Sequence, residues 1–250
     1  MTGVQTCALP ISQALEKPIK TPSSVVFFNV DSDKTPLYLA ASGFGDLLRF
    51  QTLAAELKDT FDLRMLQPPA GQPIASVAQL ANFYADRIES LGGAPGFVSG
   101  FSVGGIVALE TARVLRKRAF PLQGLVLLDT IFPRAMWGGT TFWRLFVWLV
   151  KNYRLADMTI NGRRLGTMIS DSALVGQVSA MAGYRAHPFE GRTILIKTTG
   201  LARWQWLFFT PWRYLQKGRL IERLIPGLHG SIFEKDQVAD LARVLRETTQ

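Results

Sequence analysis

The sequence predicts an α/β fold: a mostly parallel central sheet with helices on both faces and one helical insertion. Three observations lead there. Strand-like apolar runs alternate with amphipathic helical runs from Ser24 to the C-terminus. Several of the strand runs are apolar throughout, as strands buried on both faces must be. One stretch, about residues 131–188, breaks the alternation and is aromatic and basic, which places an insertion over the carboxyl ends of the strands. That edge is where open α/β sheets bind ligands.

The elements follow in order. Residues 24–30 and 36–41 read as strands. Residues 47–58 read as a helix, with Leu48, Leu53, Ala54 and Leu57 at helical spacing. Residues 61–66 form a strand ended by Pro68-Pro69. Residues 76–91 form a helix that Ser76 can cap, with Val77, Leu80, Phe83, Ala85 and Ile88 on one side. A strand over 96–100 and a helix over 103–116 flank Phe101-Ser102. Residues 122–128 are a buried strand ending at Asp129. Later strands are expected at 193–198 and 219–225, and a closing helix at 237–248.

The first eleven residues, MTGVQTCALPI, read like the translation of a sequencing-adapter oligonucleotide, so no fold is expected of them. On that reading the gene was cut at its 5′ end and sequence upstream is missing. A linker is expected over 12–23 and a single domain over 24–250. The one cysteine, Cys7, falls within the adapter-like string. Disulfides and thiol chemistry are therefore not expected, which fits a cytoplasmic protein. Roughly 240 residues are enough for one full core. No apolar run approaches the ~20 residues of a membrane span, so none is expected.

The net charge is +9, and it is unevenly placed. From Arg134 to Arg223 there are fourteen Lys or Arg against four acids, and all six tryptophans lie in the same stretch. A basic, aromatic surface suits an acidic protein partner, an anionic membrane surface or nucleic acid; it equally suits a solvated rim around an apolar lid. Charge alone supports nucleic acid, and none is expected as a partner.

Chemistry enters at Gly100-Phe101-Ser102-Val103-Gly104-Gly105, between a strand and a helix. A Gly-x-Ser-x-Gly in that position is the pattern of a nucleophile elbow. The turn is tight, the serine takes strained backbone angles, and only glycine fits two residues to either side. The helix start behind the serine offers unpaired N–H groups to a developing oxyanion. A serine nucleophile needs a base and an acid that orients the base. Of the two histidines, His229 lies in Pro226-Gly227-Leu228-His229-Gly230 before the last helix, where the chain order Ser…Asp…His requires a base. His187, beside Pro188, reads as a loop residue. Asp129 is the candidate acid, because residues 198–217 contain no Asp or Glu at the later strand end where an acid often stands; it also suits an Asp that caps the turn before the lid.

These residues together resemble the thioesterase domains that terminate nonribosomal peptide and polyketide synthases. The match is carried by Gly-Phe-Ser-x-Gly-Gly with Glu110 in the following helix, by Leu127-Leu128-Asp129 and by Gly227-Leu228-His229. Ser24-Val25-Val26 and Thr35-Pro36-Leu37-Tyr38-Leu39 resemble the entry strands. The resemblance implies an α/β-hydrolase fold with a helical lid over about 131–188, and a triad of Ser102, Asp129 and His229. It implies an acyl or peptidyl substrate on the phosphopantetheine arm of a carrier protein, supplied in cis or in trans, with no metal and no bound cofactor. Trp137, Phe142, Trp143, Phe146 and Trp148 of the lid would contact an apolar acyl chain, or pack on their own domain. A carrier is usually acidic, so the basic surface is the expected docking face; charge reversal at Arg163 and Arg164 tests this. One departure is at the loop after the first long strand, which reads Ala41-Ser42-Gly43-Phe44-Gly45 where the family often has His-Pro-x-Gly-Gly. Ser42, Gly43 or Phe44 can still offer a backbone N–H beside that of Val103, although Gly43 and Gly45 also suit a plain turn. A freestanding editing thioesterase, a carboxylesterase or lipase of the same fold, and a binding protein built on it remain as alternatives.

Overall fold

The structure, a computed structural model, describes residues 24–28, 33–41, 47–69, 74–92, 95–130, 159–160, 163–164, 184–202 and 212–249. The adapter-like string and the linker lie outside them, as do Ser42, Gly43 and Phe44 and the lid aromatics Trp137, Phe142, Trp143, Phe146 and Trp148.

The elements are β1 (Val25–Phe27), β2 (Thr35–Ala40), α1 (Leu47–Leu57), β3 (Phe61–Leu66), α2 (Val77–Ser90), β4 (Phe97–Phe101), α3 (Gly104–Lys117) and β5 (Gly124–Leu128). After them come β6 (Thr159–Ile160), β7 (Arg163–Arg164), β8 (Thr193–Thr198), α4 (Thr199–Ala202), α5 (Trp212–Leu215), β9 (Leu220–Ile225) and α6 (Lys235–Thr249). Seven strands form one sheet in the order β1-β3-β2-β4-β5-β8-β9. Only β1 runs antiparallel, against β3 at the edge; every other pairing is parallel. This is the α/β-hydrolase fold.

Side chains alternate along each strand between two apolar layers. Tyr38, Ala40, Val98, Leu125, Leu127 and Leu195 point to the layer that α2 and α3 close. Leu37, Leu39, Phe97, Val126, Leu128, Ile194 and Ile196 point to the layer that α1 and α6 close. Both layers being dry explains why the strands read as unbroken apolar runs. Each helix contributes one stripe; in α2 it is Val77, Leu80, Ala81, Tyr84, Ala85 and Ile88. Ser76 caps α2 as expected, its side chain accepting from the Gln79 N–H at 3.1 Å.

Three expectations shift. The strand expected from residue 122 starts at Gly124, because Leu122 turns back to donate its N–H to the Phe120 carbonyl at 2.8 Å. Among the described residues of the acid-free stretch 198–217, Thr199–Ala202 and Trp212–Leu215 are single-turn helices, too short to leave a periodic signal. Within 131–188, the four described residues before Tyr184 are not helical: Thr159–Ile160 pairs antiparallel with Arg163–Arg164. In the sequence, Asn161-Gly162, a dipeptide favoured between hairpin strands, stands between them. The remainder of the lid up to residue 183 lies outside the described residues. Among the described residues no helix is long and apolar enough to cross a membrane.

Candidate active site

The serine is presented by the step from β4 into α3. Ser102 has φ 51°, a left-handed conformation that costs a side-chain-bearing residue ~1–3 kcal/mol. Its N–H donates to the Leu128 carbonyl at 3.0 Å, which ties the elbow to the end of β5. The glycines are there because nothing larger fits. A Cβ on Gly100 would stand 2.3 Å from the Gly104 carbonyl oxygen, and one on Gly104 would stand 2.7 Å from that of Ala40. Gly105 is the tightest: its Cβ would lie 1.9 Å from Thr130 Oγ1. Thr130 in turn is held by Trp212, whose Nε1–H donates to the Thr130 carbonyl at 3.0 Å. Val103 stands at the N-cap of α3, so its N–H lies at the positive end of the helix.

Asp129 follows β5 with φ 46°. Its N–H donates to the Ile196 carbonyl at 2.7 Å, and its carboxylate reaches over the end of β8. There Oδ1 accepts from the Thr198 N–H at 2.8 Å and Oδ2 from the Thr198 hydroxyl at 2.8 Å. Asp129 is fully buried.

His229 arrives from a loop between β9 and α6. Gly227 there has φ 111°, and a Cβ on it would meet Gln237 Oε1 at 2.0 Å. The loop is pinned on both sides. The Gly227 N–H donates to Thr199 Oγ1 at 3.1 Å, and the Gly200 N–H donates to the Gly227 carbonyl at 2.9 Å. Ser231 Oγ donates to Gln237 Oε1 at 2.8 Å and accepts from the Leu228 N–H at 3.2 Å. The imidazole lies flat on the Phe101 ring, with centroids 4.7 Å apart and planes 24° apart. Phe101 is itself wedged edge-on against Phe233 at 4.9 Å.

The three side chains thus meet across 127 residues of chain. His229 Nδ1 lies 2.8 Å from Asp129 Oδ2, and Nε2 lies 2.9 Å from Ser102 Oγ. With the imidazole proton on Nδ1, Asp129 accepts it, and Nε2 is free to accept the serine hydroxyl. The Asp129 side chain is 0% exposed and that of His229 is 27%, while Ser102 is buried. A sealed carboxylate, a partly exposed imidazole and a hydroxyl just before a helix N-terminus can together deliver an activated oxygen nucleophile.

Other residues fall elsewhere. His187 is exposed in the segment before β8. Glu110 accepts from Arg113 and, at 2.9 Å, from the Tyr184 hydroxyl, so it anchors the chain where it returns to the sheet. Burial first, and then the Glu110 charge, push the Tyr184 hydroxyl pKa well above its usual value, so it stays a donor. Sequence reasoning missed Phe101 and Thr198 as parts of the site. Phe101 was visible inside the elbow motif itself. Thr198 stands at the strand end where a carboxylate was sought and not found.

Residues 35–141 match the family model described as the thioesterase domain. Parts of the chain are similar to parts of polyketide synthases and nonribosomal peptide synthetases. The orsellinic acid synthase armB of Armillaria mellea is 33% identical over 103 residues, which are 41% of this chain and 5% of that protein. The chain thus matches a small part of much longer relatives. The NocB thioesterase domain from the nocardicin cluster superposes with a TM-score of 0.69 at 22% identity, covering 90% of this chain and 97% of that one. The four-domain nonribosomal peptide synthetase AB3403, bound to AMP and glycine, superposes with a TM-score of 0.69 at 20% identity, covering 94% of this chain and 21% of that one. At these identities the two structures establish the fold.

Proposed function

We propose that this domain releases an acyl, polyketide or peptidyl chain from a carrier protein through a serine acyl-enzyme. The observation that carries the proposal is the continuous line from Asp129 through His229 to Ser102, at 2.8 and 2.9 Å. Ser102 Oγ attacks the carbonyl carbon of a phosphopantetheine thioester while His229 Nε2 takes its proton. Negative charge gathers on the carbonyl oxygen. The Val103 N–H is one donor to it, and a backbone N–H of Ser42, Gly43 or Phe44 is the second; each such donor is worth ~3–4 kcal/mol in the transition state. The C–S bond then breaks, the thiol leaves with the proton from His229, and the acyl group remains as an ester on Ser102. Water attacks this ester with His229 again as base, giving the free acid and restoring the serine. A nucleophile on the substrate itself, in place of water, would give a ring instead. Asp129 keeps the imidazole in the Nδ1–H tautomer and stabilises the imidazolium formed in each half-reaction. The chemistry calls for no metal and no bound cofactor. The partner is an acyl or peptidyl carrier protein, in cis or in trans.

The test compares acyl release from a synthetic acyl-phosphopantetheine thioester and from an oxygen ester of the same acyl group, using residues 12–250 and Ser102→Ala. Thioester turnover that is lost with Ser102, alongside weak ester turnover, is the expected result. Preference for the oxygen ester would assign the protein to the esterases, and turnover unaffected by Ser102→Ala would end the triad reading.

A further inference from the structure

The acid of the site does not act alone. We propose that Thr198 is a positioning residue: its hydroxyl fixes the Asp129 carboxylate in the plane that meets the His229 imidazole. The proposal rests on the reading of Ser102, His229 and Asp129 as a triad.

The geometry is specific. In the parallel pairing of β5 with β8, Leu128 stands opposite Ile196. One residue further on, the chain leaves the sheet at Asp129, with φ 46°. The ladder donor that β5 would have met, the Thr198 N–H, is taken by Asp129 Oδ1 instead. The Thr198 hydroxyl then takes Oδ2, the same oxygen that faces His229 Nδ1. A carboxylate held through one oxygen can still swing about its Cβ–Cγ bond. Held through both, it cannot, and the remaining lone pair of Oδ2 is left aimed at the imidazole. Thr198 and Asp129 are both fully buried, so water does not readily replace the hydroxyl. A serine or threonine hydroxyl can do this; a valine of the same shape cannot.

The consequence is kinetic more than structural. Without the hydroxyl, the fold keeps the Thr198 N–H bond and the packing of β8, but the imidazole loses its fixed partner. Ser102 then spends less time next to a correctly turned base. Losing a hydrogen bond to a charged group predicts about a tenfold slower serine attack.

A fluorophosphonate probe reads that attack directly, without knowledge of the natural substrate. Labelling rates are compared for the unsubstituted chain, Thr198→Val, Thr198→Ser and Thr198→Ala, with thermal unfolding midpoints as the control. The low-field proton resonance of the imidazole Nδ1–H is recorded for each. Expected are labelling about tenfold slower in Thr198→Val and Thr198→Ala, labelling within about threefold of the unsubstituted chain in Thr198→Ser, and a moved Nδ1–H resonance in the first two only. If Thr198→Val does not fold, the Ser and Ala variants carry the comparison. Val and Ala labelling within about twofold of the unsubstituted chain would overturn the proposal, as would equal slowing in Ser and Ala, which would point to the methyl group rather than the hydroxyl. Absence of labelling at Ser102 in the unsubstituted chain would remove the triad reading and this proposal with it.

Discussion

Replacing Asp129 with Asn should nearly abolish catalysis while leaving the fold almost untouched, and the hydrogen bonds explain both halves. The carboxylate accepts three bonds, from the Thr198 N–H, the Thr198 hydroxyl and His229 Nδ1, each at 2.8 Å. In Asp129→Asn the amide oxygen can stay with the Thr198 N–H. The amide nitrogen then occupies the Oδ2 position, where it is a donor. The Thr198 hydroxyl can rotate to accept from it, so that contact survives. The imidazole has no such freedom. To accept from the amide, His229 must carry its proton on Nε2, which then donates towards Ser102 and cannot take the serine proton. The network remains satisfied, so the stability cost should be about 1 kcal/mol, the difference between charge-assisted and neutral bonds. The rate should fall by ~10⁴, about 5.5 kcal/mol of transition-state stabilisation, as wrong-tautomer variants of serine triads do. The assay is acyl release from acyl-phosphopantetheine at single turnover, with fluorophosphonate labelling in parallel and unfolding midpoints on the same samples. A loss smaller than tenfold in a folded variant would refute the tautomer argument. A large loss accompanied by a collapse in stability would refute the claim that the network can be satisfied by an amide.

Two further outcomes follow from the packing. Gly105→Ala puts a methyl 1.9 Å from Thr130 Oγ1, on a residue also held by Trp212, so the start of α3 must shift; a stability loss of ~1–3 kcal/mol is expected by thermal or chemical denaturation, and an unchanged midpoint would mean the helix start is looser than its contacts indicate. Glu222 tests the electrostatics of the β8–β9 edge. Partial burial acts to raise its pKa, but hydrogen bonds from Lys197 and Arg213 outweigh this and hold the carboxyl below its usual range. A lowered folded-state pKa gives stability that is present above the unfolded value and lost as pH falls through the folded one. The midpoint difference between the unsubstituted chain and Glu222→Gln should therefore be present at neutral pH and vanish in strong acid; a difference independent of pH would show that the charge is not its source.

Much of this protein is determined locally. The strand–elbow–helix unit around Ser102 is largely written in adjacent residues, because the contacts that exclude a side chain at Gly100 lie within the elbow, although those at Gly104 come from Ala40 on β2. The strands are legible because burial on both faces leaves unbroken apolar runs, and Ser76 marks its helix because a cap is a contact within one turn. The chain order Ser102, Asp129, His229 marks the three candidate partners. Their distances are a different matter. Asp129 can meet His229 only because β5, β8 and β9 lie side by side in the sheet, which no local pattern encodes. The hydroxyl of Thr198 becomes part of the site through that adjacency, and the flat contact of Phe101 with His229 comes from a loop 128 residues away folding over the elbow. The sequence by itself determined which residues can do the chemistry, because residue type and chain order are local facts. Only the tertiary structure decided which neighbours hold them in place, because strand order and loop closure bring together residues that are far apart in the chain.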